Sequence, residues 1–390
     1  MMIDRPLIHL TEEDCVKRIA KCQQLMAEKG LNGCVFTASS NQAYYCDFRV
    51  VWQWNSLTRP VFLFIPVQGK PVFYTQIFMR TDAEIMTKGV DVIGFNEIFI
   101  PPVSQIKEIM HSLGMDKGKI GWELGLECRL GCTIQLYESI KGALNEAEFV
   151  DCSDIVWKQR LIKDAKEIQM IKAVCEATDY CFEHLAEQLH PGMSEIEVWR
   201  RVQILELQGG AECTPSHAMN SGPANYTRGS KTADNDILEK GNMLSLDLTA
   251  YYCGYYSDFC RNFVLGKISQ ERQDTWQRIV DVTAETSEAL KPGVSCSEVA
   301  RICARAMAKR GYESNFEVGR LGHGCGLNST EPPSIMIGDE TVLEPGMIIH
   351  IEPGVVNEHG LFVCEEKYVI TETGRECLSG ASRILHEVDC

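Results

Sequence analysis

The sequence is poor in positive charge. It holds 38 Lys and Arg residues against 54 Asp and Glu, a formal net charge of −16 at pH 7. Such a balance repels phosphate backbones and anionic membrane surfaces, so neither nucleic acid nor membrane is expected as a partner. Apolar runs are short as well: residues 61–67, one of the longest, fall far below the ~18–20 residues that span a bilayer. The first residues lack the apolar segment of an export signal, so we expect a cytoplasmic protein.

Also absent is any Cys-x-x-Cys pair, although the chain has 18 cysteines. This excludes the spacing of zinc ribbons and thioredoxin-like motifs, and it predicts reduced thiols that are mostly buried. The 45% hydrophobic and 24% charged content is that of an ordinary globular protein. Because one hydrophobic core rarely grows past roughly 250–300 residues, the 390 residues predict two domains.

The pattern along the chain divides near residue 155. A helical segment at residues 11–31 is followed by short apolar strands, then by alternating helices and strands. We predict a smaller α/β N-terminal domain over residues 1–155 and an α+β catalytic domain over residues 156–390. A spacing of three and four between apolar residues from 156 to 189 predicts one long helix at the start of the second domain.

The second half contains a faint internal duplication. Residues 189–198 resemble residues 290–299, and each copy has Ser and Glu at the spacing of a capping box. A Leu-Glu-x-Gly sequence recurs later in both copies, and an acid follows its glycine by six residues, as Asp247 and Glu352. Two similar units packed about a pseudo-two-fold axis would bring these acids to a shared centre.

A second acid follows each of these strands, Asp258 in the first copy and Glu365 in the second. Four converging carboxylates repel one another and cannot all stay ionised without Arg or a divalent cation. His323 lies between two glycines in the sequence Gly-His-Gly-Cys-Gly and adds an accessible imidazole. Oxygen ligands plus one imidazole favour a two-metal site.

These motifs resemble the pita-bread metallohydrolases, the family of methionine aminopeptidase, prolidase, aminopeptidase P and creatinase. The resemblance covers residues 156–374 and rests on YYSDFCRNF, GHGCGL, EPGMIIHIEPG and CEEKYVITETG. It implies a C-terminal pita-bread domain, a homodimer and two divalent ions (Mn, Co, Zn or Fe). By the resemblance Asp247 chelates one ion, His323 and Glu352 the other, and Asp258 and Glu365 bridge both.

Two histidines that assist peptide cleavage in the family are missing. None occurs in residues 224–231, where Tyr226 and Arg228 stand, and Thr330 replaces the second. We expect Tyr226 or Arg228 to orient a substrate carboxylate or to transfer a proton, with exposed loop residues as the alternative. Glu331 is expected to position substrate and Thr330 to contact it. His217 is a weaker candidate, with a local hydrogen-bonding role as the alternative.

The N-terminal domain has an unusually aromatic segment at residues 44–54. In family dimers this region of one subunit reaches the active site of the other, so Arg49, Trp52 and Trp54, with Tyr45, are predicted to form a substrate-binding lid. Aromatic faces beside one Arg suit a cationic ligand that carries a carboxylate. A buried core or a dimer contact is the alternative for this segment.

The resemblance leads to a dinuclear metal hydrolase that cleaves an amide or C–N bond in a small molecule or short peptide, with Xaa-Pro peptides as the conservative substrate. The alternative is an enzyme of the same fold for small zwitterions, either an amidinohydrolase like creatinase or ectoine hydrolase or a C–S lyase like the dimethylsulfoniopropionate lyases. A binding module without catalysis is disfavoured, because all five metal positions are intact.

Overall fold

A computed structural model describes residues 2–49, 59–313 and 319–390. The chain divides into two compact units, Ile8–Arg160 and Leu161–Cys390, the second of which includes the N-terminal segment up to Leu7. The division proposed from the sequence lies a few residues earlier. Among the described residues, no helix combines the length and apolar character needed to cross a bilayer.

The first unit is built on a six-stranded mixed sheet with strand order β4-β3-β2-β1-β5-β6. Its strands are β1 Leu31–Phe36, β2 Phe62–Pro66, β3 Val72–Gln76, β4 Asp91–Phe95, β5 Lys117–Trp122 and β6 Glu146–Asp151. Its described helices are α1 Glu12–Glu28, α2 Ser39–Cys46, α3 Arg80–Met86, α4 Val103–Ser112, α5 Ile134–Ala143 and α6 Ser153–Arg160, with a 3₁₀ turn at Ile77–Met79. The parallel pairs β1–β5, β5–β6 and β3–β4 give the predicted α/β character.

The single long helix predicted from residue 156 is wrong. Helix α6 ends at Arg160, and α7 (Ala165–Leu185) begins five residues later. Asp164 caps the new helix: its carboxylate accepts from the backbone N–H of Glu167, and the Glu167 carboxylate accepts from the N–H of Asp164. This capping box starts a separate helix although the apolar spacing continues across the break.

In its described residues, the second unit combines four longer helices with two principal sheets. The helices after α7 are α8 Glu195–Gln208, α9 Gln270–Ser287 and α10 Cys296–Lys309, with a 3₁₀ turn at Ala186–Gln188. One sheet has the order β18-β10-β8-β7, with β9 paired to β8; the other has the order β12-β11-β13-β16-β17, and β14 pairs with β15. The strands are β7 Cys213–Ser221, β8 Met243–Tyr252, β9 Tyr255–Tyr256, β10 Phe259–Leu265, β11 His323–Gly324, β12 Glu331–Ser334, β13 Ile348–Ile351, β14 Gly354–Asn357, β15 Gly360–Val363, β16 Glu366–Ile370, β17 Arg375–Cys377 and β18 His386–Val388.

The internal duplication is confirmed by the backbone hydrogen bonds. The N-cap residue Ser194 forms an isolated antiparallel bridge with Ile237, and the N-cap residue Ser295 forms one with Val342. The equivalent glycines donate to equivalent carbonyls, Gly192 to Leu238 and Gly293 to Leu343. Each copy therefore anchors the start of its second helix to the segment that leads into its central strand.

One detail of the predicted duplication is wrong. The capping box is complete in the first copy, where the Glu197 carboxylate accepts from the Ser194 N–H at 2.7 Å. In the second copy Ser295 accepts from the N–H of Glu298. The Glu298 carboxylate itself accepts from Arg301 and Arg305, so only half of the predicted box forms.

The cysteines agree with the prediction from composition. All 18 are free thiols, and most are buried. Burial raises the pKa of several of them, including Cys175 and Cys364, to about 12. Burial and a raised pKa favour a packing role for such thiols, because a protonated thiol is a poor nucleophile and metal ligand.

Candidate metal centre

In the second unit, the sheet with the order β18-β10-β8-β7 supplies two acids. Asp247 lies in the middle of β8, paired with Ala218 of β7 on one side and Cys260 of β10 on the other. Asp258 immediately precedes β10 and has a backbone φ of 85°, in the left-handed region that residues with a side chain rarely adopt. The Thr249 hydroxyl donates to Asp258 Oδ1 at 3.1 Å, which helps to fix the carboxylate beside β8.

The sheet with the order β12-β11-β13-β16-β17 supplies the other three predicted ligands. His323 begins β11, Glu352 directly follows β13, and Glu365 directly precedes β16. Asp258, His323 and Glu365 are buried, whereas Asp247 and Glu352 are partly exposed. The two partly exposed carboxylates leave part of this cluster accessible to solvent.

His323 lies beside one acid of the first pair, Asp258, and both acids of the second pair, Glu352 and Glu365. Its Nδ1 lies 2.9 Å from the Gly324 carbonyl oxygen, an acceptor that fixes the proton on Nδ1 and leaves the Nε2 lone pair free for a cation. Nε2 lies 3.8 Å from Asp258 Oδ2, 3.7 Å from Glu352 Oε1 and 4.0 Å from Glu365 Oε1. These separations are those of ligand atoms around a common centre rather than of direct hydrogen bonds.

The pKa directions show the cost of holding these acids together. Burial, together with the neighbouring carboxylates, raises the pKa of Asp258 and Glu365 well above the ordinary values. Burial and then the Asp247 charge raise the pKa of Glu352 to about 7, and burial raises the pKa of Asp247. Burial lowers the pKa of His323 to about 3, so this imidazole is neutral and able to bind a metal.

The residues fit a divalent metal. One oxygen of Asp247, Oδ1, is buried without a hydrogen-bond partner, which is costly unless a cation binds it. Ligand atoms of Asp258, His323, His350 and Glu365 lie within 4.8 Å of one another. Oxygen donors with imidazole and no thiolate suit Mn, Co, Zn or Fe and do not select among them.

Two basic side chains beside these acids were not identified as site residues in the sequence analysis. His350 Nδ1 lies 2.8 Å from Glu365 Oε1, and its ring stacks on that of His323 at a centroid distance of 4.6 Å. Lys367 donates to the carbonyl oxygens of Tyr256 and Ser257, the two residues before Asp258. A signal was available: His350 and Lys367 each stand two residues from a predicted ligand along a strand, hence on the same face.

Of the residues predicted to assist catalysis, Tyr226 and Arg228 make other contacts. Tyr226 is buried in a hydrophobic cluster with Trp276, and its hydroxyl accepts from the N–H of Met243 at 3.0 Å. These surroundings favour a packing role. Arg228 is exposed and donates to Asn225 Oδ1 at 2.9 Å, as a residue of its own loop.

Glu331 and Thr330 lie on the segment after His323. Glu331 is buried, 3.4 Å from Lys163 Nζ, and accepts from the N–H of Asn328 at 3.0 Å. The Thr330 hydroxyl accepts from Arg320 at 3.4 Å. After burial, the Arg320 charge is the next cause that lowers the pKa of His323, so this positive charge acts on the candidate metal centre.

His217 and the N-terminal residues have partners of their own. His217 forms a buried pair with Glu206 at 2.7 Å, the local hydrogen bond given as its alternative role. In the first unit, Arg49 lies 3.2 Å from Asp47, and the Tyr45 hydroxyl donates to Gln159 at 3.1 Å. Trp52 and Trp54 lie outside the described residues, so the lid remains a prediction.

The sequence matches the family described as metallopeptidase family M24 over residues 169–372, more than half of the chain. The chain belongs to metallopeptidase family M24. Residues 18–162 match the creatinase/prolidase N-terminal domain, as the predicted order of an α/β domain before a pita-bread domain requires. Metallopeptidases of this family use divalent metals, and the centre described above has the donors to hold them.

Three similar proteins cover most of the chain. An uncharacterized peptidase of Bacillus subtilis, YqhT, is 27% identical over 94% of this chain and 99% of its own length. An Xaa-Pro dipeptidase of Pyrococcus furiosus is 31% identical over 67% of this chain and 75% of its own length. The solved structure of an Xaa-Pro dipeptidase from Bacillus anthracis has 25% identity and a TM-score of 0.84, over 96% of this chain and 99% of that chain. The pita-bread architecture inferred from the motifs is thereby confirmed.

Proposed function

We propose that this M24 protein is a dinuclear metallopeptidase that hydrolyses an amide bond in a short peptide, with Xaa-Pro dipeptides as the first substrate class to test. The observation that carries the proposal is the convergence of Asp258, Glu352 and Glu365 on His323 Nε2, each with a carboxylate oxygen within 4.0 Å of that atom. The similarity to Xaa-Pro dipeptidases supports the choice of substrate.

Each ligand has a proposed position. Asp247 would hold one ion, His323 and Glu352 would hold the other, and Asp258 and Glu365 would contribute to both. Divalent ions bound there supply Lewis-acid polarisation of the scissile carbonyl and activation of water. The chain itself supplies the fixed geometry, because Asp258, His323 and Glu365 are buried on strands or at their ends.

The substrate side of the site differs from that of a peptidase with both histidines. A threonine hydroxyl can accept or donate a hydrogen bond, but it cannot carry a proton at neutral pH as an imidazole does. Thr330, with Arg320 donating to it, is therefore proposed to orient a polar substrate group. Glu352 acts mainly as a ligand and only secondarily as a proton acceptor.

The test is metal-dependent release of proline. Protein loaded with Mn²⁺, Co²⁺, Zn²⁺ or Fe²⁺ is assayed against Xaa-Pro dipeptides, with creatine, ectoine-type compounds and dimethylsulfoniopropionate in parallel. Glu365→Gln should lower turnover by at least about 100-fold, whereas Glu358→Gln, on a side chain that is 81% exposed, should leave it unchanged.

Labelled water separates the two reaction classes, because a hydrolase places its oxygen in the product and a lyase does not. Incorporation of the label during dipeptide turnover is the expected result. If the protein binds two ions and still turns over none of the peptides, the peptidase proposal is wrong.

A further inference from the structure

Two buried basic side chains lie directly opposite each other beside the metal centre. His350 on β13 pairs with Lys367 on β16 in the antiparallel register, and neither residue has any solvent exposure. Burying an ammonium group costs several kcal/mol unless its hydrogen bonds and charge are satisfied. A buried polar pair in a strand ladder therefore requires specific partners.

The partner of His350 is one of the proposed shared ligands. The separation of 2.8 Å between His350 Nδ1 and Glu365 Oε1 is that of a hydrogen bond. A carboxylate that is ionised as a metal ligand only accepts, so with metal bound the imidazole would carry its proton on Nδ1 and donate it. This bond fixes the orientation of the Glu365 carboxylate. It occupies one lone pair of Oε1 and leaves the other lone pairs of the carboxylate available to metal ions.

The partners of Lys367 hold the other proposed shared ligand indirectly. Its three donors meet the carbonyls of Tyr256 and Ser257 and the sulfur of Cys325, the last at 3.2 Å. The two carbonyls belong to the residues that lead into Asp258. Left-handed backbone is unfavourable for a residue with a side chain, so the φ of 85° at Asp258 needs support from its surroundings.

We propose that His350 and Lys367 are a cross-strand pair of positioning residues, His350 orienting the Glu365 carboxylate and Lys367 fixing the turn that presents Asp258. The inference rests on the proposed function, in which Asp258 and Glu365 are the ligands shared by two ions. One strand pair then aligns both shared carboxylates, because His350 on β13 contacts Glu365 and Lys367 on β16 contacts the two residues before Asp258.

The experiment measures Mn²⁺ binding by calorimetry in wild type, His350→Ala, His350→Asn and Lys367→Met. Removing an outer-shell partner of a metal ligand typically weakens affinity about 10–100-fold, and this loss is expected for His350→Ala and Lys367→Met. The Asn side chain places an N–H donor close to the position of Nδ1, so His350→Asn should recover most of the affinity. His386→Ala, a histidine on β18 that stacks on Phe263, is the matched control.

Two further readouts separate positioning from folding and from direct coordination. The melting temperature of each metal-free variant reports on the fold alone. The visible spectrum of the Co²⁺-loaded protein reports the coordination sphere, and it should be the same in His350→Asn as in wild type. An altered spectrum would overturn the inference, because it would show His350 bound to the metal.

The outcomes also distinguish the two proposals. If wild type binds two Mn²⁺ and both His350→Ala and Lys367→Met bind them equally tightly, the positioning inference is wrong while the metal centre stands. A lower melting temperature with unchanged affinity would likewise reduce the pair to structural residues. If wild type binds no Mn²⁺, the proposed centre itself is wrong and the inference falls with it.

Discussion

Metal removal should make the stability of the protein depend on pH. The burial and neighbouring charge at Glu352 raise its pKa from 4.5 to about 7, so the folded metal-free protein binds this proton more tightly than the unfolded chain does. Its stabilising contribution is complete below pH 4.5 and is lost as the pH rises through about 7. Divalent ions replace the proton and should remove that loss.

The size of the effect follows from the pKa. A change from 4.5 to about 7 at one carboxyl corresponds to about 3 kcal/mol of unfolding free energy. Because 28% of the Glu352 side chain is exposed, this figure is an upper bound for that residue. Ions at 100 times their dissociation constant restore about 2.7 kcal/mol. The two magnitudes are similar, so metal should nearly cancel the pH dependence.

The assay is urea unfolding at pH 5.5 and pH 7.5, with EDTA or with Mn²⁺. The unfolding free energy in EDTA should fall between the two pH values by an amount of the order of 2 kcal/mol, and Mn²⁺ should restore most of it. Glu352→Gln has no proton to lose and should show a smaller fall in EDTA. Equal unfolding free energies with and without Mn²⁺ at pH 7.5 would refute the reasoning.

Three other changes test the surroundings of the centre. Lys163→Met removes the ammonium group that lies beside the buried Glu331 carboxylate. It should lower the unfolding free energy by about 3–5 kcal/mol in urea titrations. A smaller loss would show that the pair is well solvated. Gly322→Ala places a Cβ 2.0 Å from the His350 carbonyl oxygen, so the backbone must shift and move the next residue, His323. The Mn²⁺ affinity measured by calorimetry should therefore fall. An unchanged affinity would contradict the tight packing at Gly322. Ser194→Ala removes an N-cap and should cost about 1 kcal/mol in the same urea assay, without changing metal affinity; a loss of affinity would contradict a purely local role.

The acid pairs could be predicted because duplication and strand alternation are local signals. Along β8, Leu244, Leu246 and Leu248 alternate with Asp247, which places the acid on the face opposite the leucines. The recurrence of an acid six residues after a glycine in both copies indicated that Asp247 and Glu352 belong to one centre. Their closeness in the folded chain then follows from the packing of equivalent units.

The supporting residues could not be predicted in the same way. Glu331 looked like a substrate residue because its neighbour replaces a histidine, but its partner Lys163 lies far away in sequence and pairing depends on the tertiary fold. The Tyr226 side chain has one polar atom, its hydroxyl oxygen, and this atom accepts a hydrogen bond from a backbone N–H within a hydrophobic cluster. For His350, the two-residue spacing from Glu352 indicated a shared face, but its contact with Glu365 could be expected only once the register between β13 and β16 was known.

The helix break before α7 shows a different limit. Apolar spacing reports which face of a helix is buried, and that face continues from one helix to the next. Asp164 and Glu167 carried the boundary signal, a capping box inside an otherwise helical pattern. Capping residues should therefore be weighed against apolar periodicity when a predicted helix is unusually long.

Anomalous diffraction from crystals grown with Mn²⁺ is the most direct test that this chain holds a pair of divalent ions. Two manganese peaks are expected, one beside Asp247 and one beside His323 and Glu352, with Asp258 and Glu365 in contact with both. A map without manganese at these side chains, despite saturating Mn²⁺, would contradict the assignment.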